Sequence, residues 1–174
     1  MNRRKIRTLV DLIIHQNNLT VPIDVEKIAS AIGAEIKKDD FDESLSGFAF
    51  QKHGSKFIGV NSSEGIQRQR FTIAHELGHL FLHKQSSVSY DKGMMLMRNT
   101  HSSDGTDIKE IEANRFAAEL LMPEDSLRHD LLSAGQIDLV EENDATKELI
   151  SKLADKYNVS FMAMSIRLTT LYFN

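Results

Sequence analysis

Apolar positions change their rhythm along this chain, and the changes divide it into elements. Ile6, Leu9, Val10, Ile13 and Ile14 recur at helical spacing, so residues 3–17 predict an amphipathic helix. Pro22 and Asp24 open a second helix with Val25, Ile28, Ala29 and Ile32 turned inward and Gly33 as its stop. The period then shortens. Residues 34–37, 47–51 and 57–60 are brief apolar-rich runs of the kind that form strands, the last two joined by a turn at Lys52-His53-Gly54-Ser55. A small antiparallel sheet is expected. Asn61-Ser62-Ser63 offers capping side chains for a long helix that contains FTIAHELGHLFLH, residues 71–83.

Residues 84–105 are polar and without helical period, apart from Met94-Met95-Leu96-Met97, read as adaptable core filler in preference to an edge strand or a lid. Helical patterning returns over 108–122, ended by Pro123, and over 124–134, ended by Gly135. Residues 136–146 are acidic and loop-like, and two closing helices, 147–157 and 161–170, flank Asn158-Val159-Ser160. The pattern is that of an α+β protein, mainly helical, with its small sheet beside the helix of residues 71–83. Residues 1–125 form the expected core and 126–174 a helical segment packed on it as one unit.

Composition narrows the function. At 174 residues with 41% hydrophobic and 26% charged positions the chain can enclose a core as one domain. A net charge of −4 argues against a chain built mainly to hold nucleic acid, which needs clustered Lys and Arg. With no cysteine, any metal must be held by histidine and carboxylate. The opening MNRRKIRTLVDLII is basic then apolar, but Asp11 interrupts it and no small-residue cleavage site follows. Nothing is long enough to span a membrane, so the expected location is the cytoplasm.

Within residues 71–83, His75-Glu76-Leu77-Gly78-His79 is an HExxH pattern. Residues four apart lie on one helix face, so both imidazoles can grip one ion. Glu76 is rotated about 100° from them, outside the ligand pair but within reach of a water at the metal. Gly78 costs roughly 1 kcal/mol of helix propensity relative to Ala, which makes sense if a backbone or a substrate approaches closely there. A catalytic zinc site needs a third protein ligand and an open position. His83, His101, Asp104, Glu110, Glu112 and Glu119 are the candidates downstream. On the 108–122 helix, Glu110 and Asn114 border the stripe Ala113, Phe116, Ala117, Leu120 and Leu121, whereas Glu112 and Glu119 sit on the other flank, nearer solvent. A carboxylate against an apolar face is costly unless it meets a cation, so Glu110 is the better ligand and Asn114 the better group to orient an imidazole. His83 would make Glu110 redundant and is read as a supporting or surface residue. Tyr90 and His101, in the long connection, are read as surface residues.

FTIAHELGHLFLH followed by EIEANRFAAELLMP resembles the ImmA/IrrE family of zinc metallopeptidases, and LADKYNVSFMAMSIRLTTL is similar to that family's closing segment. Glu110-Ile111-Glu112-Ala113-Asn114 also resembles the gluzincin pattern, in which a Glu binds zinc and an Asp four residues beyond it supports a ligand histidine. The resemblance implies a zincin-like peptidase fold, one Zn2+ on His75, His79 and Glu110, and Glu76 as general base. Asn114 stands where many relatives carry Asp, and it can accept the same hydrogen bond without adding charge. Glu112 is the fallback ligand.

The resemblance further implies a protein substrate, a helix-turn-helix repressor of the XRE type, whose cleavage derepresses genes of a mobile element or a stress response. An extended substrate could pair, main chain to main chain, with the hairpin strand that precedes the HExxH helix. Two other readings stand beside it. One is a catalytically weak interaction protein of a repressor or toxin–antitoxin pair. The other is DNA binding through the closing helices, where Leu149, Leu153, Ala154, Tyr157, Ala163 and Ile166 have a helix-turn-helix look. That second unit offers only Arg167 to phosphate and is approached through acidic residues, so direct nucleic-acid binding is not expected.

Overall fold

The computed structural model describes residues 1–42, 45–52, 54–83, 89–91, 104–134 and 143–172, with backbone alone at 89–91 and 104–107. The methionine run at 94–97, His53, His101 and the acidic residues Asp138, Glu141 and Glu142 lie outside them, as do the side chains of Tyr90 and Asp104.

Helix α1 (Arg3–Gln16) begins where the Lys5 backbone N–H donates to Asn2 Oδ1 at 3.0 Å, and it buries Ile6, Val10 and Ile13. Helix α2 (Val25–Ala31) begins in the same way, with the Lys27 N–H donating to Asp24 Oδ1 at 2.9 Å. Each cap satisfies a donor that a helix start leaves unpaired. Both helices follow the apolar stripes in the sequence.

The sheet contains β1 (Ala34–Asp39), β2 (Gly47–Lys52), β3 (Ser55–Asn61) and β4 (Ser89–Asp91), in the spatial order β1-β3-β2-β4. β2 and β3 form the expected antiparallel hairpin, with Lys52 opposite Ser55 and Gly54 taking a φ of +87° in the turn. β1, however, runs parallel to β3, so the sheet is mixed where an antiparallel one was expected. The reason lies at Asn61. A parallel strand must cross over before its neighbour begins, and the end of β3 fastens that crossover. Asn61 N–H donates to Ser46 O at 2.8 Å, its Nδ2 donates to Leu45 O at 3.0 Å, and Ser62 N–H donates to Asp39 O at 2.8 Å. Asn61 is therefore not a helix cap. The next helix, α3 (Ile66–Leu82), starts from Gly65 with no side-chain cap at all. The hairpin strand before α3, expected to receive a substrate, is β3, and both its edges are taken, by β1 and β2, while β4 pairs with Gly47, Phe48 and Ala49 of β2.

α3 packs on β2 and β3 on one side and on α4 (Asp104–Leu121) on the other. α4 begins before residue 108, where the sequence pattern first becomes periodic. Ile73, Ala74 and Leu77 of α3 and Ala113, Phe116, Ala117 and Leu120 of α4 are all essentially inaccessible. Phe81 and Phe116 stack with ring centroids 5.6 Å apart. Helices α5 (Glu124–Ala134), α6 (Asp144–Tyr157) and α7 (Phe161–Tyr172) complete the chain. None of the helices among the described residues is long and apolar enough to cross a membrane.

α7 turns Met164, Arg167, Leu168 and Leu171 inward, a stripe of helical period that includes a cation. Arg167 Nη2 donates to Glu119 Oε2 at 2.6 Å and its Nε donates to Met122 O at 3.0 Å, while the Glu124 N–H donates to Glu119 Oε1 at 3.0 Å. Two expectations are corrected here. Glu119 is buried instead of lying near solvent, and Arg167, the one cation that α7 could offer to phosphate, is buried and bonded inside the protein. The outward face of α7 carries Phe161, Met162 and Ile166, apolar groups and not basic ones.

Removing one member of a buried ion pair strands the other, which costs about 3–5 kcal/mol. Arg167→Leu is accordingly expected to lower the free energy of unfolding in urea by that amount. Unfolding at the wild-type midpoint would show that the pair does not hold the closing helices to the core.

Candidate metal centre

The apolar face of α3 decides where its histidines point. With Ile73, Ala74 and Leu77 committed to the core, His75 and His79 fall together towards α4, and both are buried. Their rings lie edge to face, with centroids 4.8 Å apart and the two Nε2 atoms 3.0 Å apart. Glu110 of α4 completes the group. Its two oxygens lie 3.1 Å from His75 Nε2 and 3.2 Å from His79 Nε2.

Gly78 permits this approach. A Cβ at that position would lie 3.0 Å from Ala113 Cα, 3.2 Å from Ala113 O and 3.2 Å from Phe116 Cβ. The backbone that nears this glycine is that of α4. Seating Ala113 against it carries the neighbouring Glu110 and Asn114 to the histidines. Asn114 Oδ1 lies 3.0 Å from His75 Nδ1 and accepts its N–H, which leaves the Nε2 lone pair of a neutral ring directed at Glu110.

One donor atom each from His75, His79 and Glu110 lies within 4.8 Å of the other two. Two imidazole nitrogens and a carboxylate turned on one point present lone pairs to each other, an arrangement that a cation relieves. Nitrogen and oxygen donors of this kind are what a divalent transition metal takes. The residues present fit such an ion. Burial alone raises the Glu110 carboxyl, but its contacts with the His75 and His79 imidazoles outweigh it and hold the group at about 2, ionised and ready to ligate.

Glu112 lies elsewhere. It is buried, not near solvent, and its Oε2 lies 3.0 Å from His83 Nε2, while its other oxygen meets the Met1 amino group. It therefore does not join the His75–His79 pair. His83 is also enclosed, with its Nδ1 3.2 Å from His79 Nδ1. Burial, reinforced by the neighbouring His79 ring and the Lys109 charge, pushes the His83 imidazole down to about 4. Its spacing from His79 allowed the supporting role, but the contact with Glu112, on another helix, was not legible in the sequence, and the chain leaves helical geometry at His83, with φ −119° and ψ 129°. Glu76, one residue beyond His75, is fully buried on α3.

An HExxH helix beside a mixed sheet, joined by a glutamate from a second helix, is the arrangement of a metallopeptidase of the gluzincin kind. Comparison with known proteins gives the family. The family model described as Peptidase_M78, the IrrE N-terminal-like domain, matches residues 29–169, and the chain belongs to this ImmA/IrrE family of metallopeptidase-like proteins. Metallopeptidase ImmA of Bacillus subtilis (strain 168) is 29% identical over an alignment of 119 residues that covers 66% of this chain and 60% of that protein. Uncharacterized immunity region protein 2 of Bacillus phage phi105 is also 29% identical over 119 residues, covering 68% of this chain and 69% of that one. A solved structure, a Mycobacterium tuberculosis transcriptional regulator, superposes with a TM-score of 0.61 at 14% identity. It covers 92% of this chain and 45% of its own, a likeness of fold.

If the Gly78 contact sets the spacing of the two helices, filling it must move them apart. Gly78→Val is expected to lower stability by about 1–3 kcal/mol through overpacking and to weaken metal uptake at the same time. Denaturant unfolding and zinc titration check both. A variant of wild-type stability and affinity would show that the approach is not close enough to matter.

Proposed function

We propose that this protein is a zinc-dependent metalloendopeptidase whose ion is held by His75, His79 and Glu110. The observation that supports it best is the convergence of two Nε2 atoms and a carboxylate from separate helices on one buried point. When bound, zinc supplies Lewis acidity, bringing the pKa of water towards about 7 and polarising a peptide carbonyl.

The chain's own residues do the rest. Asn114 accepts the His75 Nδ1–H and so keeps that ring turned to present Nε2. Glu110, held ionised, contributes the negative charge that balances the ion. The Glu76 carboxylate takes a proton from the attacking water and returns it to the leaving amine nitrogen, the work of a general base and then a general acid. Burial of His75, Glu76 and His79 keeps bulk water from competing for these protons.

The substrate in this reading is a protein, a helix-turn-helix repressor acting in the cytoplasm, and its cleavage releases the genes it silences. The phage immunity-region relative and ImmA support a regulator as the target. The chain spans 60% of ImmA, so that protein's complete activity is not transferred with the resemblance.

Glu76→Gln separates binding from chemistry. It is expected to take up one zinc per chain as the wild type does, while cleavage of a helix-turn-helix repressor substrate, sought first in the product of the neighbouring reading frame, falls roughly 100- to 10,000-fold. Chelator should abolish wild-type cleavage, and zinc should restore it. Full cleavage by Glu76→Gln would remove Glu76 from the role of base, and wild-type cleavage that persists in chelator would remove the metal.

A further inference from the structure

The HExxH helix carries a third histidine, His83, which the proposed reaction does not use, and it lies between a ligand of the site and a buried carboxylate. His79 Nδ1 is 3.2 Å from His83 Nδ1, and His83 Nε2 is 3.0 Å from Glu112 Oε2. All three side chains are enclosed, with relative exposures of 3%, 7% and 11%.

The positions of the protons follow from these contacts. For His79 to present a bare Nε2 to an ion, its one proton must sit on Nδ1. That N–H faces His83 Nδ1, which can accept it only when bare itself. A neutral His83 then carries its proton on Nε2, opposite Glu112, which accepts as a carboxylate. With His79 Nε2 kept bare and both rings neutral, every donor meets an acceptor in one arrangement alone, with Glu112 accepting from His83 and His83 accepting from His79. With the opposite tautomer of His83, two N–H groups would face each other across 3.2 Å in a buried site, and Glu112 would face a lone pair.

The geometry points to the Glu112–His83 pair as a positioning device that fixes His79 in its Nδ1–H tautomer and so readies Nε2 for the metal. The two ligand histidines are then oriented by different means. His75 leans directly on an amide oxygen, that of Asn114, and His79 leans on a carboxylate through an intervening imidazole. The partner of a ligating histidine contributes typically 10- to 100-fold in metal affinity. This role rests on the metal reading of His75, His79 and Glu110, and the test keeps the two apart.

Zinc affinity is measured on the full chain by competition with a chromophoric chelator, and imidazole 15N spectra are recorded on the metal-free protein. His83→Leu and Glu112→Leu are each expected to weaken zinc about 10- to 100-fold. His83→Gln, whose amide can accept from His79 and donate to Glu112, should stay within a factor of a few of wild type. In the spectra, wild-type His79 should be protonated on Nδ1 and His83 on Nε2, and in His83→Leu the His79 ring should lose its single tautomer. Equal zinc affinity in wild type and His83→Leu would overturn the positioning role while leaving the metal site standing. A wild type that takes up no zinc would overturn the metal reading, and the tautomers in the metal-free protein would still decide whether the pair sets His79. If His83→Leu does not fold, the wild-type spectrum decides alone: Nδ1–H on His79 with Nε2–H on His83 supports the device, and any other pair of tautomers overturns it.

Discussion

Everything at this site depends on how closely two helices can lie. α3 and α4 meet where Gly78 has no side chain, and the Ala113 backbone occupies the space a Cβ would need. Glycine weakens an isolated helix by roughly 1 kcal/mol relative to alanine. Here that loss is set against dense packing of Ala74, Leu77, Ala113, Phe116 and Ala117, all fully buried. The short distance between the helices has a chemical consequence, because it places Glu110 and Asn114, on one side of α4, within hydrogen-bond range of His75.

That packing puts polar groups where water cannot serve them. His75, Glu76 and His79 are at most 3% exposed and Glu112 is buried close by, in surroundings that penalise an unpaired polar group by several kcal/mol. The response is a continuous set of contacts that runs from Asn114 through His75, Glu110, His79 and His83 to Glu112. Such a network confines each ring to one orientation. The same rule governs the far end of α4, where Glu119 and Arg167 enter the interior only as partners. One helix thus carries three acids with distinct duties: Glu110 faces the site, Glu112 meets His83, and Glu119 ties down the closing helix.

Local spacing made much of this legible. HExxH places two imidazoles on one helix face whatever surrounds it, and the apolar stripe on residues 108–122 singles out Glu110 over Glu112. The α+β class followed equally from the change of period after Gly33. Features that depend on partners distant in sequence were harder to read. Nothing in residues 34–39 tells that β1 runs alongside β3 in the same direction, because the strand pattern is the same for either pairing. Asn61 has the composition of a cap but is spent on the crossover loop. Arg167 reads as an exposed cation until Met164, Leu168 and Leu171 show that it belongs to the inward stripe. Glu112 looked solvent-facing on its own helix, and only His83, where α3 ends, explains its burial.

The most direct test of this account is anomalous diffraction at the zinc edge from crystals of the zinc-loaded protein. The expected result is one peak per chain, with His75 Nε2, His79 Nε2 and a Glu110 oxygen each at roughly 2.0–2.2 Å. A peak held by Glu112 or His83 in place of Glu110, or no peak between the two HExxH histidines, would contradict it.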